Sequence, residues 1–139
     1  MDLTDKIALI TGGKRIGAVV AAALAGRGVD VCLSYARSRP EAEQAADRVR
    51  AAGRRATTIQ VDLSKSYACE TLVNTAAATL GGLDILVNMA SVYSPKPFDD
   101  LVVEDWNAVL DVDLRAAFLC ARGGAPHAEA RRRPHHQFQ

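Results

Sequence analysis

The sequence predicts an α/β protein in which a doubly wound parallel sheet carries helices on both faces. Three observations lead there. Short apolar runs alternate with helical stretches of ten or more residues, which requires crossover connections between parallel strands. Within those runs the polarity does not alternate, as expected of strands covered on both sides. Glycines fall at the junctions, where the backbone must turn sharply.

Taken in order, "KIALITGG" (6–13) is a buried strand running into a glycine turn. "RIGAVVAAALAGRG" (15–28) has helical composition and ends on Gly26 and Gly28. "VDVCLSY" (29–35) is a second strand. The next helix, 39–54, has Pro40 at its start, acid in its first turn and Gly53 at its stop. A third strand spans 55–63. A third helix, 64–82, has Ser64 as its N-cap and Gly81 and Gly82 as its exit. The fourth strand is "LDILVNMAS" (83–91), followed by a loop with Pro95 and Pro97 and by one long or two short helices over 103–124.

A chain of 139 residues suits one domain with a real core. A net charge of +1 gives no whole-protein attraction to nucleic acid or to an anionic membrane. Cys32, Cys69 and Cys120 lack metal-binding spacing and read as reduced, buried thiols. The apolar stretch from Ala18 to Ala25 is too short to span a bilayer, and the polar start "MDLTDK" does not resemble a secretory leader. The expected setting is cytoplasmic. No repeat or linker interrupts the alternation.

"ITGGKRIG" lies where the first strand enters the first helix. Glycines there let the backbone approach a ligand, and a helix N-terminus offers free N–H groups and a positive dipole end to a pyrophosphate. "TGGKRIG" (11–17), "VDLS" (61–64), "LDILVNMAS" (83–91) and "DWNAVLDVDLRAAFLCAR" (105–122) together resemble the N-terminal half of a short-chain dehydrogenase/reductase, closest in look to 3-oxoacyl-carrier-protein reductases. The resemblance implies a Rossmann-like doubly wound sheet, here truncated after about four strands, with residues 1–125 as the dinucleotide-binding half. It also implies a small-molecule carbonyl substrate and a homo-oligomer, with no nucleic-acid or membrane partner.

By the resemblance, Thr11, Gly12, Gly13, Lys14, Arg15, Ile16 and Gly17 form the phosphate-binding turn. Asp62 and Leu63 match the segment placed against the adenine ring, where a solvated strand-end acid is the competing reading of Asp62. Asn88 and Ala90 belong to the motif beneath the cofactor, with a structural hydrogen-bonding role expected of Asn88. Three departures stand out. The glycine turn is one residue short and lacks its middle glycine, Met89 and Ser91 replace an Asn and a Gly, and Asp113 stands where an Asn is usual. An ionised Asp only accepts hydrogen bonds.

The second strand ends "SYARSR", with Arg37 and Arg39 and no acid before Glu41. An NAD site of this fold places an acid near that point for the ribose 2′-hydroxyl, whereas Arg suits a 2′-phosphate. NADP(H) is therefore the expected cofactor, with solvated loop charges as the competing reading.

The family's proton donor is a Tyr-x-x-x-Lys, preceded by a Ser after a fifth strand. Tyr35, Tyr67 and Tyr93 are followed four residues later by Arg39, Thr71 and Pro97, so no catalytic residue is assigned. The tail from 126 to 139 is expected to be non-native or disordered. One permitted codon choice for "RPHHQFQ", read one base later, encodes Gly-Arg-Ile-Ile-Asn-Phe, the family's next strand, which implies a frameshift between His127 and Arg133. A basic nucleic-acid patch or a metal site at the adjacent histidines has less support. Val109, Leu114, Phe118 and Leu119 should lie on an exposed helical face. The overall expectation is an NAD(P)H-dependent carbonyl reductase represented by a chain without its catalytic residues. The alternative is an inactive dinucleotide-binding fragment or pseudogene product.

Overall fold

The computed structural model describes residues 1–133 of the chain. Four strands, β1 (Ile7–Gly12), β2 (Asp30–Tyr35), β3 (Ala56–Gln60) and β4 (Ile85–Met89), form one parallel sheet in the order β3-β2-β1-β4. Leu9 of β1 pairs with Cys32 on one side and Leu86 on the other. Helices α1 (Lys14–Gly26) and α2 (Arg39–Ala51) pack on one face. Helix α3 (Ser66–Leu80) covers the other, followed in the chain by α4 (Val103–Leu110), a π-helical turn (Asp111–Arg115) and α5 (Ala116–Arg132), which packs beside α3. The doubly wound α/β expectation holds.

Alternate residues of β1 serve opposite faces, as a strand's two-residue period requires. Ala8 and Ile10 pack with Ala21, Ala25, Val31 and Val49. Ile7 and Leu9 pack with Cys32, Leu72, Val73, Leu83 and Cys120. Both sets are buried, which is why the strand reads as a continuous apolar run. Burial pushes the thiols of Cys32 and Cys120 up to about 12, the latter with help from neighbouring Cys69, so they remain protonated core groups.

The helix expected to stop at Gly124 continues to Arg132, past the boundary expected at 125. Glycines and Pro126 oppose a helix, Pro by about 3 kcal/mol in an isolated one. Gly123 and Gly124 face α3 and Leu83, where an added Cβ would meet only ordinary van der Waals neighbours, 3.5 Å at the nearest, so the helix tolerates these glycines without requiring them. Farther along, Arg131 bonds Asp84 and donates to the Asp5 carbonyl at 3.0 Å, and His127 pairs with Asn74 at 2.9 Å. These contacts hold residues 126–132 in the helix, while the remainder of the expected tail, 134–139, lies outside the described residues. Ser64 does not cap α3; the N-cap is Lys65, and the Ser64 hydroxyl instead donates to Asp62. Leu119 packs against the core, whereas Val109, Leu114 and Phe118 are exposed. Helical periodicity turns Leu119 inward with Ala116 and Cys120. No described helix is long and apolar enough to cross a membrane.

At the N-terminal ends of the strands, buried Asp30 joins three segments. Its carboxylate accepts from Arg54 Nε (3.0 Å), the Arg55 amide (3.0 Å) and Arg55 Nη2 (2.8 Å), while Arg55 also donates to the Leu80 carbonyl (2.9 Å). Burial alone would raise the Asp30 pKa. The hydrogen bonds from Arg55 and the charges of Arg55 and Arg54 outweigh it and hold the carboxyl below its ordinary value of 3.8. A depressed carboxyl stabilises the fold above its unfolded pKa and loses that contribution as pH falls through the folded value. Asp30→Ala should therefore cost about 2 kcal/mol near neutral pH in urea unfolding. Asp30→Asn should flatten the acid-side fall in stability below pH 3.8.

Candidate functional site

β1 turns into α1 through three residues of positive φ, Gly12 at 61°, Gly13 at 86° and Lys14 at 27°. Glycine adopts that region freely, so the strain of the shortened turn falls on Lys14. Space is equally limiting. A Cβ on Gly12 would lie 2.8 Å from Ala90 Cα, one on Gly13 2.9 Å from Met89 Cβ, and one on Gly17 2.8 Å from the Gly12 carbonyl oxygen. The turn is thus pressed between the end of β4 and the first turn of α1.

Thr11 secures that contact. Its hydroxyl oxygen accepts the Met89 amide at 3.2 Å and the Ala90 amide at 3.3 Å, and the residue is 1% exposed. Its side chain therefore faces β4, not outward. Gly13 stands at the N-cap of α1, which has no side-chain cap and no acid in its first turn. The first amides are left for solvent or an anion, on the positive end of the helix dipole. Lys14, Arg15 and Ile16 are exposed around them, and Gly17 is buried. A pyrophosphate fits this arrangement chemically.

The other expected residues lie beyond the C-terminal ends of the same sheet. Asp62 follows β3 and accepts from the Ser64 hydroxyl (2.6 Å) and amide (3.0 Å). Those hydrogen bonds, with the charges of Lys65 and Arg37, hold its carboxyl below the ordinary value. Arg37 is exposed after β2. Among the described residues no ion pair engages Lys14, Arg15 or Arg37. The Leu63 side chain is buried in the core. Asn88 donates to the Ala117 carbonyl at 3.5 Å, a link between β4 and α5. The crevice outside the strand ends of an open α/β sheet is where such folds bind ligands, and the structure brings the glycine turn, the 62–64 turn and the end of β4 to that one side of the sheet. No cluster of metal-ligating side chains occurs among the described residues.

Two residues were not legible as participants. Asp113 accepts the Ser91 hydroxyl at 3.1 Å and the Val92 amide at 2.9 Å. Arg115 donates to the Ser64 carbonyl at 2.6 Å and pairs with Asp111. The available signal was "DVDLR" itself, whose charges two residues apart cannot share a face of a regular helix.

The chain belongs to the short-chain dehydrogenase family, whose sequence profile matches residues 6–134. It is 35% identical over 130 residues to the hydroxynaphthalene reductase of Aspergillus fumigatus, covering 93% of this chain and 48% of that protein. It is 33% identical over 121 residues to the 3-oxoacyl-[acyl-carrier-protein] reductase of Synechocystis, covering 86% of this chain and 49% of that one. A short chain dehydrogenase from Burkholderia cenocepacia, solved in complex with NADP, superposes with a TM-score of 0.86 at 40% identity, over 91% of this chain and 52% of its own. The chain thus spans about half the length of these relatives.

Thr11→Val should leave two buried-side amides without an acceptor and destabilise the fold by about 1–3 kcal/mol. Thr11→Ser, which keeps the oxygen, should recover most of that in urea unfolding.

Proposed function

We propose that this chain binds NADP(H) at the glycine turn and is the nucleotide-binding half of a short-chain reductase acting on a small carbonyl compound of the 3-oxoacyl or related type. The observation that carries the reading is the uncapped N-terminus of α1, flanked by exposed Lys14 and Arg15, with exposed Arg37 beyond β2 and no acid before Glu41. In this reading the first-turn amides and Gly12, Gly13 and Gly17 receive the pyrophosphate, and Arg37 with Lys14 meets the 2′-phosphate. Asp62 and the backbone of Leu63 face the adenine, and Ala90 floors the site, with Asn88 holding β4 to α5. The relative solved with NADP supports that preference, and a cytoplasmic setting agrees with it.

When bound, the nicotinamide supplies a hydride. Reduction of a carbonyl then needs a proton at the resulting alkoxide oxygen and groups that polarise the C=O bond. Tyr35 is buried, and neither exposed Tyr67 nor Tyr93 has a lysine four residues on. We therefore read the 139-residue chain itself as a dinucleotide binder that does not complete the chemical step. The codon argument supports a shift of frame between His127 and Arg133.

NADPH should raise the melting temperature more than NADH at equal concentration. Arg37→Ala should weaken NADPH by about tenfold, a loss of one charge-assisted contact, and leave NADH unchanged. Equal stabilisation by both cofactors would refute the assignment. NADPH oxidation with acetoacetyl or quinone-type substrates should be undetectable; turnover on the order of 1 per second would show that the chain is a complete catalyst. Nucleotide sequence beyond codon 127 should encode a Tyr-x-x-x-Lys in the shifted frame, and its absence there would remove the frameshift reading.

A further inference from the structure

We propose that Cys69 and Cys120 form a redox-modifiable thiol pair, which a hydroperoxide oxidises to a disulfide that ties α3 to α5. The packing of the two helices carries the inference. Arg115 meets the Ser64 carbonyl across a sequence separation of 51 residues, and His127 meets Asn74 across 53. Between those contacts, a Cβ on Gly123 would lie 3.9 Å from Glu70 Cα and 3.8 Å from Val73 Cβ. The helices therefore run side by side in the same direction. That register sets Cys120 against Cys69, at the same separation of 51 as the Arg115 contact. Both cysteines are 0% exposed and share one core cluster.

The two sulfurs are chemically unequal. Cys69 is the fourth residue of α3, within the first turn, where the helix dipole favours a thiolate. Burial raises its thiol, and the hydrogen bond from Cys120 and the charge of Arg115 act against that rise. Arg115 also keeps a donor in reserve, since its Nε is buried without a hydrogen-bond partner. Burial pushes Cys120 up to about 12, with neighbouring Cys69 adding to the rise. Cys69 is thus the sulfur that reacts first, and Cys120 the one that closes the bond. Cys69 Sγ lies 3.7 Å from the Leu63 carbonyl and 3.8 Å from that of Lys65. A thiol is a weak donor, so these contacts hold it loosely. Cys32 differs: it sits within β2, in register with Leu9 and Thr57 on either side, and burial alone places its thiol at about 12.

The oxidant is a small hydroperoxide, reaching the pair when α5 opens locally, as Gly123, Gly124 and Pro126 favour. The Cys69 sulfur attacks one peroxide oxygen, the O–O bond breaks, and the departing hydroxide leaves as water with the thiol proton. The Cys120 sulfur then attacks the Cys69 sulfenic acid. The S–S bond forms, the S–O bond breaks, and a second water leaves with the Cys120 proton. Two thiols have lost two electrons and hydrogen peroxide has become two waters. The bond closes a loop over β4, α4 and the π-helical turn, which restricts the unfolded chain and should strengthen the fold.

The test exposes the reduced, folded full chain to a small molar excess of hydrogen peroxide, alkylates the remaining thiols in denaturant and maps the peptides. Of the three cysteines, only Cys32 should be alkylated, with the Cys69 and Cys120 peptides joined within one chain. The urea midpoint should rise on oxidation and return with dithiothreitol. Cys32→Ala should form the bridge as the unsubstituted chain does. Cys120→Ala should halt at sulfenic or sulfinic Cys69 with no rise in midpoint. Arg115→Gln should slow loss of the Cys69 thiol about fivefold, whereas a merely loosened core would speed it. A bridge that includes Cys32, a bridge only between chains, or three free thiols under peroxide that oxidises glutathione would each overturn the inference. Oxidation that Arg115→Gln leaves unchanged or accelerates would count against Cys69 as the attacking sulfur. The peptide map of the unsubstituted chain decides the pairing even if the Cys120 variant fails to fold.

Discussion

A single threonine hydroxyl decides how the first and fourth strands meet. Thr11 Oγ1 has two lone pairs and gives one each to the Met89 and Ala90 amides. That is possible only because Gly12 and Gly13 present no Cβ to the end of β4. Residues almost eighty positions apart in the chain (the Thr11–Ala90 bond spans 79) are therefore in register to within a hydrogen bond. Everything that follows in the crevice depends on this meeting: the left-handed glycine turn, the direction in which α1 leaves it, and the level at which residues 90–92 emerge. The contact is also why the glycines matter beyond their conformational freedom. They are required first by packing, and the space left for a phosphate is a consequence.

The two ends of the sheet handle charge in opposite ways. At the N-terminal ends, Asp30, Asp84 and Asp5 are matched by Arg54, Arg55 and Arg131 in a set of ion pairs and carbonyl contacts. At the C-terminal ends, Lys14, Arg15 and Arg37 have no ion-pair partner among the described residues. The same residue types thus fasten strands at one end and stand without ion pairs at the other, next to a helix N-terminus. A nearly neutral chain can in this way carry a local field suited to an anion.

The helical stretch from Val103 to Arg132 faces two ways. Ala116, Cys120 and Gly124 are small and buried, which draws α5 close to α3 and Leu83. Val103, Trp106, Leu114 and Phe118 point outward and are exposed. Between them lies the π-helical turn, where Asp113 reaches Val92, Arg115 reaches the Ser64 carbonyl and Ala116 opens the buried stripe.

Fold class, strand order of appearance and the glycine turn were legible in the sequence because they follow from local regularities. Continuous apolar runs mark strands buried on both faces, and glycine with proline marks their junctions. The end of helix α5 lies beyond the stop that its glycines and Pro126 signal locally, because His127 meets Asn74 and Arg131 meets Asp84 and Asp5, partners that only the tertiary structure supplies. Ser64 looked like a cap because a hydroxyl before a helix usually is one; the nearby Asp62 carboxylate competes for it. Asp113 appeared as a mere departure from a motif, since its partners Ser91 and Val92 lie more than twenty positions away. What the sequence determined by itself was the set of elements and the chemistry available at their ends. Which donor meets which acceptor was decided by tertiary structure, because hydrogen bonds and ion pairs depend on distances of a few tenths of an ångström between residues that local pattern cannot bring together.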